Sequence, residues 1–133
     1  SFFPHFSTEK AESLFDFLNI PTNKGFGQLS KGLQAQVLLS LTLANNSKLF
    51  LLDEPFGGID IATRDKIKKM IMESYPNDST FIIATHEIHD MENLMDYVVI
   101  LKDGEVLLNE PSDNIRSHNM QSIASYYKEV FQC

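Results

Sequence analysis

The spacing of apolar residues changes along the chain and predicts alternating helices and strands. Residues 7–21 have the period of an amphipathic helix, which a Ser-Thr pair can cap and Pro21 ends. A second helix is predicted over 30–45. The expected apolar faces contain Ala11, Leu14, Phe15 and Leu18 in the first helix and Leu33, Val37 and Leu41 in the second.

Continuous apolar runs then replace the helical period. "KLFLLDEP" (48–55) and "STFIIATHE" (79–87) end in polar side chains and have the pattern of strands buried on both faces. "YVVILKDGEVLL" (97–108) predicts a hairpin, because Asp103-Gly104 is a favoured two-residue turn. The intervening helices are expected to bury Ile67, Met70 and Ile71, and Ile88, Met91 and Leu94.

The tail from Pro111 to Cys133 predicts one or two more helices. Their packing face is expected to contain Ile123, Tyr126, Tyr127, Val130 and Phe131. Strands that alternate with helices favour an α/β fold with a parallel sheet, in which ligands bind beyond the carboxyl ends of the strands.

Composition excludes several classes of protein. The 133 residues are 43% hydrophobic and 22% charged, which is typical of one globular domain. A net charge of -7 argues against nucleic acid as a partner. Cys133 is the single cysteine, so no internal disulfide can form. No apolar run approaches the ~18 residues of a membrane span.

Polar side chains follow both apolar runs. Asp53 and Glu54 end the first, where adjacent carboxylates are costly unless a cation or a proton transfer uses them. Asp53 would then serve magnesium and Glu54 an attacking water, whereas the alternative is a pair of ordinary loop or cap acids. His86 ends the second run and is either a ligand-facing imidazole or a histidine satisfied at a helix start.

A third polar cluster opens the second predicted helix. Ser30 can cap it, and the amides of Lys31, Gly32 and Leu33 with the helix dipole form a potential anion site. Gly32 permits close approach of a ligand, and Lys31 adds charge. The alternative is a capped helix with a solvated lysine.

Taken in order, "LSKGLQAQ", "LFLLDEPFGGID" and "FIIATHE" resemble the second half of an ATP-binding cassette (ABC) ATPase. The matches are Ser30, Lys31 and Gly32 for the signature motif, Asp53 and Glu54 for Walker B, residues 57–60 for the D-loop and His86 for the switch histidine. The resemblance implies a partial P-loop NTPase core with parallel strands. Residues 1–47 would be the carboxyl-terminal part of the helical subdomain, and 48–133 the second half of the catalytic core.

The same resemblance implies ATP and Mg²⁺ as ligands and a head-to-tail second nucleotide-binding domain as partner. The implied roles are contact with the γ-phosphate for Ser30 and Gly32, with Lys31 beside them as a further nucleotide-binding residue, and Mg²⁺ binding for Asp53. Glu54 would be the general base, His86 would sense the γ-phosphate, and Asp60, also nucleotide-binding, would couple the two sites. A transmembrane transporter subunit would hold the protein at the cytoplasmic face of the cell membrane.

One family element has no match in this sequence, the G-x-x-x-x-G-K-[ST] loop that grips the β and γ phosphates. We therefore interpret the chain as the carboxyl-terminal portion of a cassette, unable to bind ATP tightly or hydrolyse it alone. Strands 80–85 and 97–101 are then expected to lack a shared neighbour, which exposes apolar edges and faces. Rearrangement, pairing with another copy or entry of the hairpin into the gap are three ways to cover them.

Departures from the family pattern affect the finer assignment. Lys31 replaces a glycine of the signature motif, a variant that resembles bacterial antibiotic-peptide exporters and favours export. The alternatives are a soluble ABC protein of translation or DNA maintenance and a non-catalytic regulatory module. The translation class usually has Asn-His where this chain has Gly57 and Gly58, and the DNA class needs long coiled coils. Glu54 argues against the regulatory module.

Overall fold

A computed structural model describes residues 4–74, 78–119 and 122–131. They divide into two compact units, unit 1 within 1–85 and unit 2 within 86–133. The predicted boundary at 47/48 separates parts of a whole cassette and remains a prediction. Cys133 lies outside the described residues.

Unit 1 alternates helices and strands, as the changing period predicted. Its elements are α1 (Thr8–Phe17), a 3-10 turn (Phe26–Gln28), α2 (Lys31–Leu43), β1 (Leu49–Asp53), α3 (Ile61–Ser74) and β2 (Thr80–Ala84). Ser7 caps α1 by accepting a hydrogen bond from the Lys10 amide. The buried side of α1 includes Ala11, Leu14 and Leu18, in agreement with its predicted face.

The two strands of unit 1 are parallel, which confirms the predicted parallel sheet. Their register runs from Leu49 opposite Thr80 to Asp53 opposite Ala84, so both strands end at the same edge of the sheet. Phe50 stacks on Phe81 with ring centroids 4.6 Å apart. This aromatic pair adds to the stabilisation that the backbone ladder provides.

The prediction that these strands are buried on both faces is wrong. Phe50 and Leu52 are buried, whereas Leu51 is 68% exposed and Ile82, opposite it, is 56% exposed. Apolar letters at every position do not distinguish a covered face from an open one, and within the described part of unit 1 this two-stranded sheet buries only one face. The predicted strand over 80–85, one of the two expected to lack a shared neighbour, corresponds to β2. Among the described residues it pairs with β1.

The predicted face of α2 also needs correction. Val37 is buried as expected, but Leu41 is exposed, and the buried stripe follows Gln36, Ser40 and Leu43. Two of those three are polar, so a search for apolar letters placed the predicted face partly off the buried side of the helix, with Val37 common to both. α1 and α2 pack against each other in unit 1.

Unit 2 contains the predicted hairpin and tail helices. Its elements are α4 (Ile88–Met91) continued by a 3-10 turn (Glu92–Leu94), β3 (Tyr97–Lys102), β4 (Glu105–Pro111), α5 (Ser112–Asn119) and α6 (Ile123–Phe131). Strands β3 and β4 are antiparallel, and β3 pairs with β4 among the described residues. Asp103 and Gly104 have φ angles of 52° and 84°, as the predicted two-residue turn requires.

The core of unit 2 lies between the hairpin and the tail helices. It contains Val98, Ile100, Ile115 and Ile123, with Tyr126 and Tyr127 packed against it. Of the predicted tail face, Phe131 is exposed and tilts against Tyr127, with ring centroids 4.5 Å apart. Within the described ranges, neither unit has a helix long and apolar enough to traverse a lipid bilayer.

Candidate functional site

The predicted carboxylate pair lies at the end of β1. Asp53 is the last residue of the strand and is exposed, and Glu54 follows it half-buried. The Glu54 amide donates to the Ala84 carbonyl at 2.8 Å. A Glu54 carboxylate oxygen accepts a hydrogen bond from the Thr85 hydroxyl at 2.9 Å. Both bonds come from the end of β2, because parallel pairing brings the two strand ends together.

Glu54 also has an unusual backbone conformation. Its φ of 43° is in the left-handed region, which costs a residue with a side chain about 1–2 kcal/mol. Hydrogen bonds on both sides fix this conformation, since the Glu54 carbonyl accepts from the Gly57 amide at 3.1 Å. Strain of this kind at a carboxylate is typical of functional sites.

The loop after Glu54 ends at Asp60. Phe56 and Ile59 anchor the loop because both side chains are almost fully buried. Asp60 is exposed and caps α3, accepting a hydrogen bond from the Thr63 amide at 3.0 Å. Hydrogen bonds from the Thr63 side chain and then its backbone lower the pKa of Asp60.

The start of α2 has the geometry of a capped helix. The Ser30 hydroxyl oxygen accepts from the Leu33 amide at 3.3 Å, and Lys31 is exposed. The Gln34 side-chain amide donates to the carbonyls of Phe26 and Leu29, each at 3.2 Å, and ties the preceding turn to the helix. The cap was common to both sequence interpretations, so it does not choose between an anion site and a plain helix start.

The start of α2 lies close to the backbone of the loop over residues 54–60, called the acidic loop below. A Cβ atom built on Gly32 would lie 2.6 Å from the carbonyl oxygen of Gly58. Only glycine fits at position 32 without a shift of that backbone. Gly58 itself has a φ of 76° and so also favours glycine.

Six of the seven predicted site residues lie in unit 1. They are Ser30, Lys31, Gly32, Asp53, Glu54 and Asp60. His86 is the first residue of unit 2, where it is exposed ahead of α4, and its role remains a prediction.

Two features of the site escaped the sequence analysis. Thr85 received no role in the sequence analysis, although the parallel register places the residue after Ala84 beside the residue after Asp53. The register of the two strands was the one signal that could have predicted the contact between Thr85 and Glu54. The contact between Gly32 and Gly58 joins segments that are distant in sequence, and no local pattern predicts it.

Several curated proteins are similar to the chain in sequence. The ABC transporter ATP-binding protein YtrB of Bacillus subtilis (strain 168) is 34% identical over 105 residues, which are 78% of this chain and 36% of YtrB. The macrolide export ATP-binding/permease protein MacB of Shewanella sp. (strain ANA-3) is 31% identical over 78% of this chain and 16% of MacB. The thiamine import ATP-binding protein ThiQ of Jannaschia sp. (strain CCS1) is 33% identical over 71% of this chain and 42% of ThiQ.

The fold agrees with this similarity. The solved ATP-binding subunit of an ABC transporter superposes with a TM-score of 0.75 and 23% identity, over 92% of this chain and 55% of that one. The chain belongs to the ABC family. No family model matches the chain.

The relatives of this ABC chain differ from it in length and from one another in transport direction. It spans about a third of YtrB and about half of the solved subunit. The relatives also include both an export and an import protein, so they do not favour the predicted export direction over import.

Proposed function

We propose that this chain supplies the water-activating and cross-subunit elements of an ATP-hydrolysing site in an ABC transporter. Glu54 is the general base that receives a proton from the attacking water. The observation that carries the proposal is the fixed position of Glu54 at the end of a parallel strand pair, where the residue is half-buried, its backbone is strained and its carboxylate is hydrogen-bonded. General bases need this kind of defined position.

Magnesium fits the residues present as a cation with few protein ligands. The described residues contain no group of three or more His, Cys, Asp or Glu side chains that could hold a metal. Mg²⁺ beside a nucleotide needs only one or two carboxylates, because phosphates and waters supply the other ligands. Exposed Asp53 at the end of β1 provides such a ligand. The bound ion would neutralise charge on the phosphates.

The start of α2 faces the γ-phosphate of a nucleotide held mainly by a second nucleotide-binding domain. Ser30, Lys31 and Gly32 provide the helix start, and its amides and positive dipole end favour an anion. The contact of Gly32 with Gly58 supports a common surface for this turn and the acidic loop. Asp60 couples the paired sites, and His86 responds to the γ-phosphate.

Hydrolysis then proceeds by an in-line displacement. The oxygen of water bonds to the γ-phosphorus, the bond from that phosphorus to the bridging oxygen breaks, and ADP leaves with the bridging oxygen. Glu54 receives the proton of the water. The chain has no G-x-x-x-x-G-K-[ST] loop, so we propose that it does not turn over ATP alone.

The partners follow from the same assignment. A transmembrane subunit holds the chain at the cytoplasmic face of a bacterial cell membrane, and the second nucleotide-binding domain completes the site. The Lys31 variant of the signature motif supports export as the direction.

The test uses the complex isolated through an affinity tag on this chain from the membranes of its own cells. We expect Mg²⁺-dependent ATP hydrolysis, and Glu54→Gln is expected to reduce kcat by about 100-fold or more. Glu12→Gln is the matched control, because Glu12 lies exposed on α1. Unchanged turnover in Glu54→Gln would overturn the assignment of the base. A complex without ATPase activity would favour the regulatory module.

A further inference from the structure

We propose that Thr85 is a positioning residue for Glu54, so that its hydroxyl sets the orientation of the catalytic carboxylate. This inference rests on the proposed function, since it assigns a second residue to the same site. Neither the family motifs quoted above nor the sequence patterns gave Thr85 a role.

The geometry gives Thr85 a different function from that of the neighbouring backbone. The Ala84 carbonyl holds the main chain of Glu54 through its amide, at 2.8 Å. The Thr85 hydroxyl holds the side chain, at 2.9 Å from Oε2. Backbone and carboxylate are therefore fixed by two consecutive residues of one strand end.

This hydrogen bond distinguishes the two oxygens of the carboxylate. Oε2 is the oxygen that accepts from the Thr85 hydroxyl, so the bond fixes the orientation of the carboxylate. Threonine suits the task because its branched Cβ restricts rotation about χ1. Thr85 is half-buried, so solvent competes less for its hydroxyl than at an exposed position. The hydroxyl keeps its own proton throughout.

The hydrogen bond is not needed to hold the strands together. Backbone pairing between β1 and β2 runs from Leu49 with Thr80 to Asp53 with Ala84, and it does not involve the Thr85 side chain. Replacement of the hydroxyl by a methyl group is therefore expected to preserve the sheet and the main-chain bond from Glu54 to Ala84.

The experiment compares Thr85→Val, Thr85→Ser and Thr80→Val in the tagged native complex. Thr85→Val has nearly the shape of threonine and no donor, and it is expected to lower kcat by roughly tenfold with less than about a twofold change in KM for ATP. Thr85→Ser restores the donor and is expected to recover most of kcat. Thr80→Val makes the same chemical change at an exposed position of β2 and should leave both constants unchanged.

The outcomes separate this inference from the proposed function. If Glu54→Gln abolishes turnover and Thr85→Val leaves kcat unchanged, the positioning role is wrong and the base assignment stands. Equal losses in Thr85→Val and Thr85→Ser would also overturn the inference, since shape rather than the hydroxyl would then matter. If Glu54→Gln retains full activity, the proposed function itself fails. Protection of the Glu54 amide from hydrogen exchange in Thr85→Val confirms that the strand end has kept its structure.

Discussion

The two units of the molecule differ in how well their backbone conformations match the preferences of their residue types. Among the described residues of unit 2, those with positive φ are Asp103 and Gly104, and they lie in a hairpin turn that requires this conformation. In unit 1, Glu54 has a positive φ beside a strand end, where its own residue type disfavours it. Gly32 there also lies against a backbone carbonyl with no room for a side chain.

This difference indicates which unit contains the functional site. Sequences that fold well are locally consistent, and departures from local preference concentrate where function compensates for them. Unit 2 follows its local preferences at these positions. Unit 1 departs from them at two of the motifs that sequence alone had identified. Stability measurements on the chain report the energetic cost of these departures without any nucleotide.

The largest expected effect is at the helix start. Gly32→Ala places a Cβ 2.6 Å from the Gly58 carbonyl oxygen, and backbone cannot rotate away as a flexible side chain would. Overpacking costs about 1–3 kcal/mol, and the helix preference of Ala over Gly returns up to about 1 kcal/mol. A net loss of about 1–2 kcal/mol in the free energy of unfolding is expected from denaturant titration.

Gly27→Ala is the control for that experiment. A Cβ at Gly27 meets nothing within 4 Å, so its effect should stay within about 0.5 kcal/mol. Equal stability of the two variants would contradict the close approach and remove one of the two contrasts between the units.

The second effect tests the strain at Glu54. Glu54→Gly and Glu54→Ala both remove the carboxylate, so the difference between them reports the backbone alone. The glycine variant should be more stable by about 1 kcal/mol, because glycine adopts positive φ without a penalty. At Glu12, inside α1, the same pair of substitutions should give the opposite order, since helices favour alanine. The same order at both positions in thermal unfolding would refute the strain.

The smallest effect concerns Asp60 and pH. Hydrogen bonds from Thr63 lower the pKa of Asp60 in the folded state, so its contribution to stability is complete above the ordinary aspartate pKa of about 3.9. The contribution is lost as pH falls through the lower, folded value. Asp60→Asn keeps a capping oxygen and cannot titrate there, so its stability should fall less between pH 5 and pH 3 in thermal unfolding.

Thr63→Val sharpens this test. It removes the hydroxyl that contributes most to the low pKa of Asp60 and keeps the amide bond that caps the helix. Without that hydroxyl the folded pKa of Asp60 lies closer to its ordinary value, so Thr63→Val should lose less stability than the unchanged chain as the pH falls from 5 to 3. Identical acid limbs for all three proteins would show that Asp60 does not contribute to the pH dependence of unit 1.

The sequence was informative where local chemistry decides the structure. The polar ends of the apolar runs located Asp53 and Glu54, and Asp103-Gly104 located the hairpin turn. It was less informative where tertiary contacts decide. Polar Ser40 faces the interior, and exposed Leu51 lies in a run that looked wholly buried. The bond from Thr85 to Glu54 required the strand register, which the sequence does not state.

The contact between Gly32 and Gly58 has a consequence for how this surface tolerates random mutation. Lys31 is exposed, so packing does not restrict the size of the side chain at position 31. At position 32, glycine is the residue that fits unless the loop before α3 changes with it. Substitutions in this turn are therefore expected to accumulate at position 31. A substitution at position 32 is expected only together with a change in the loop that contains Gly58.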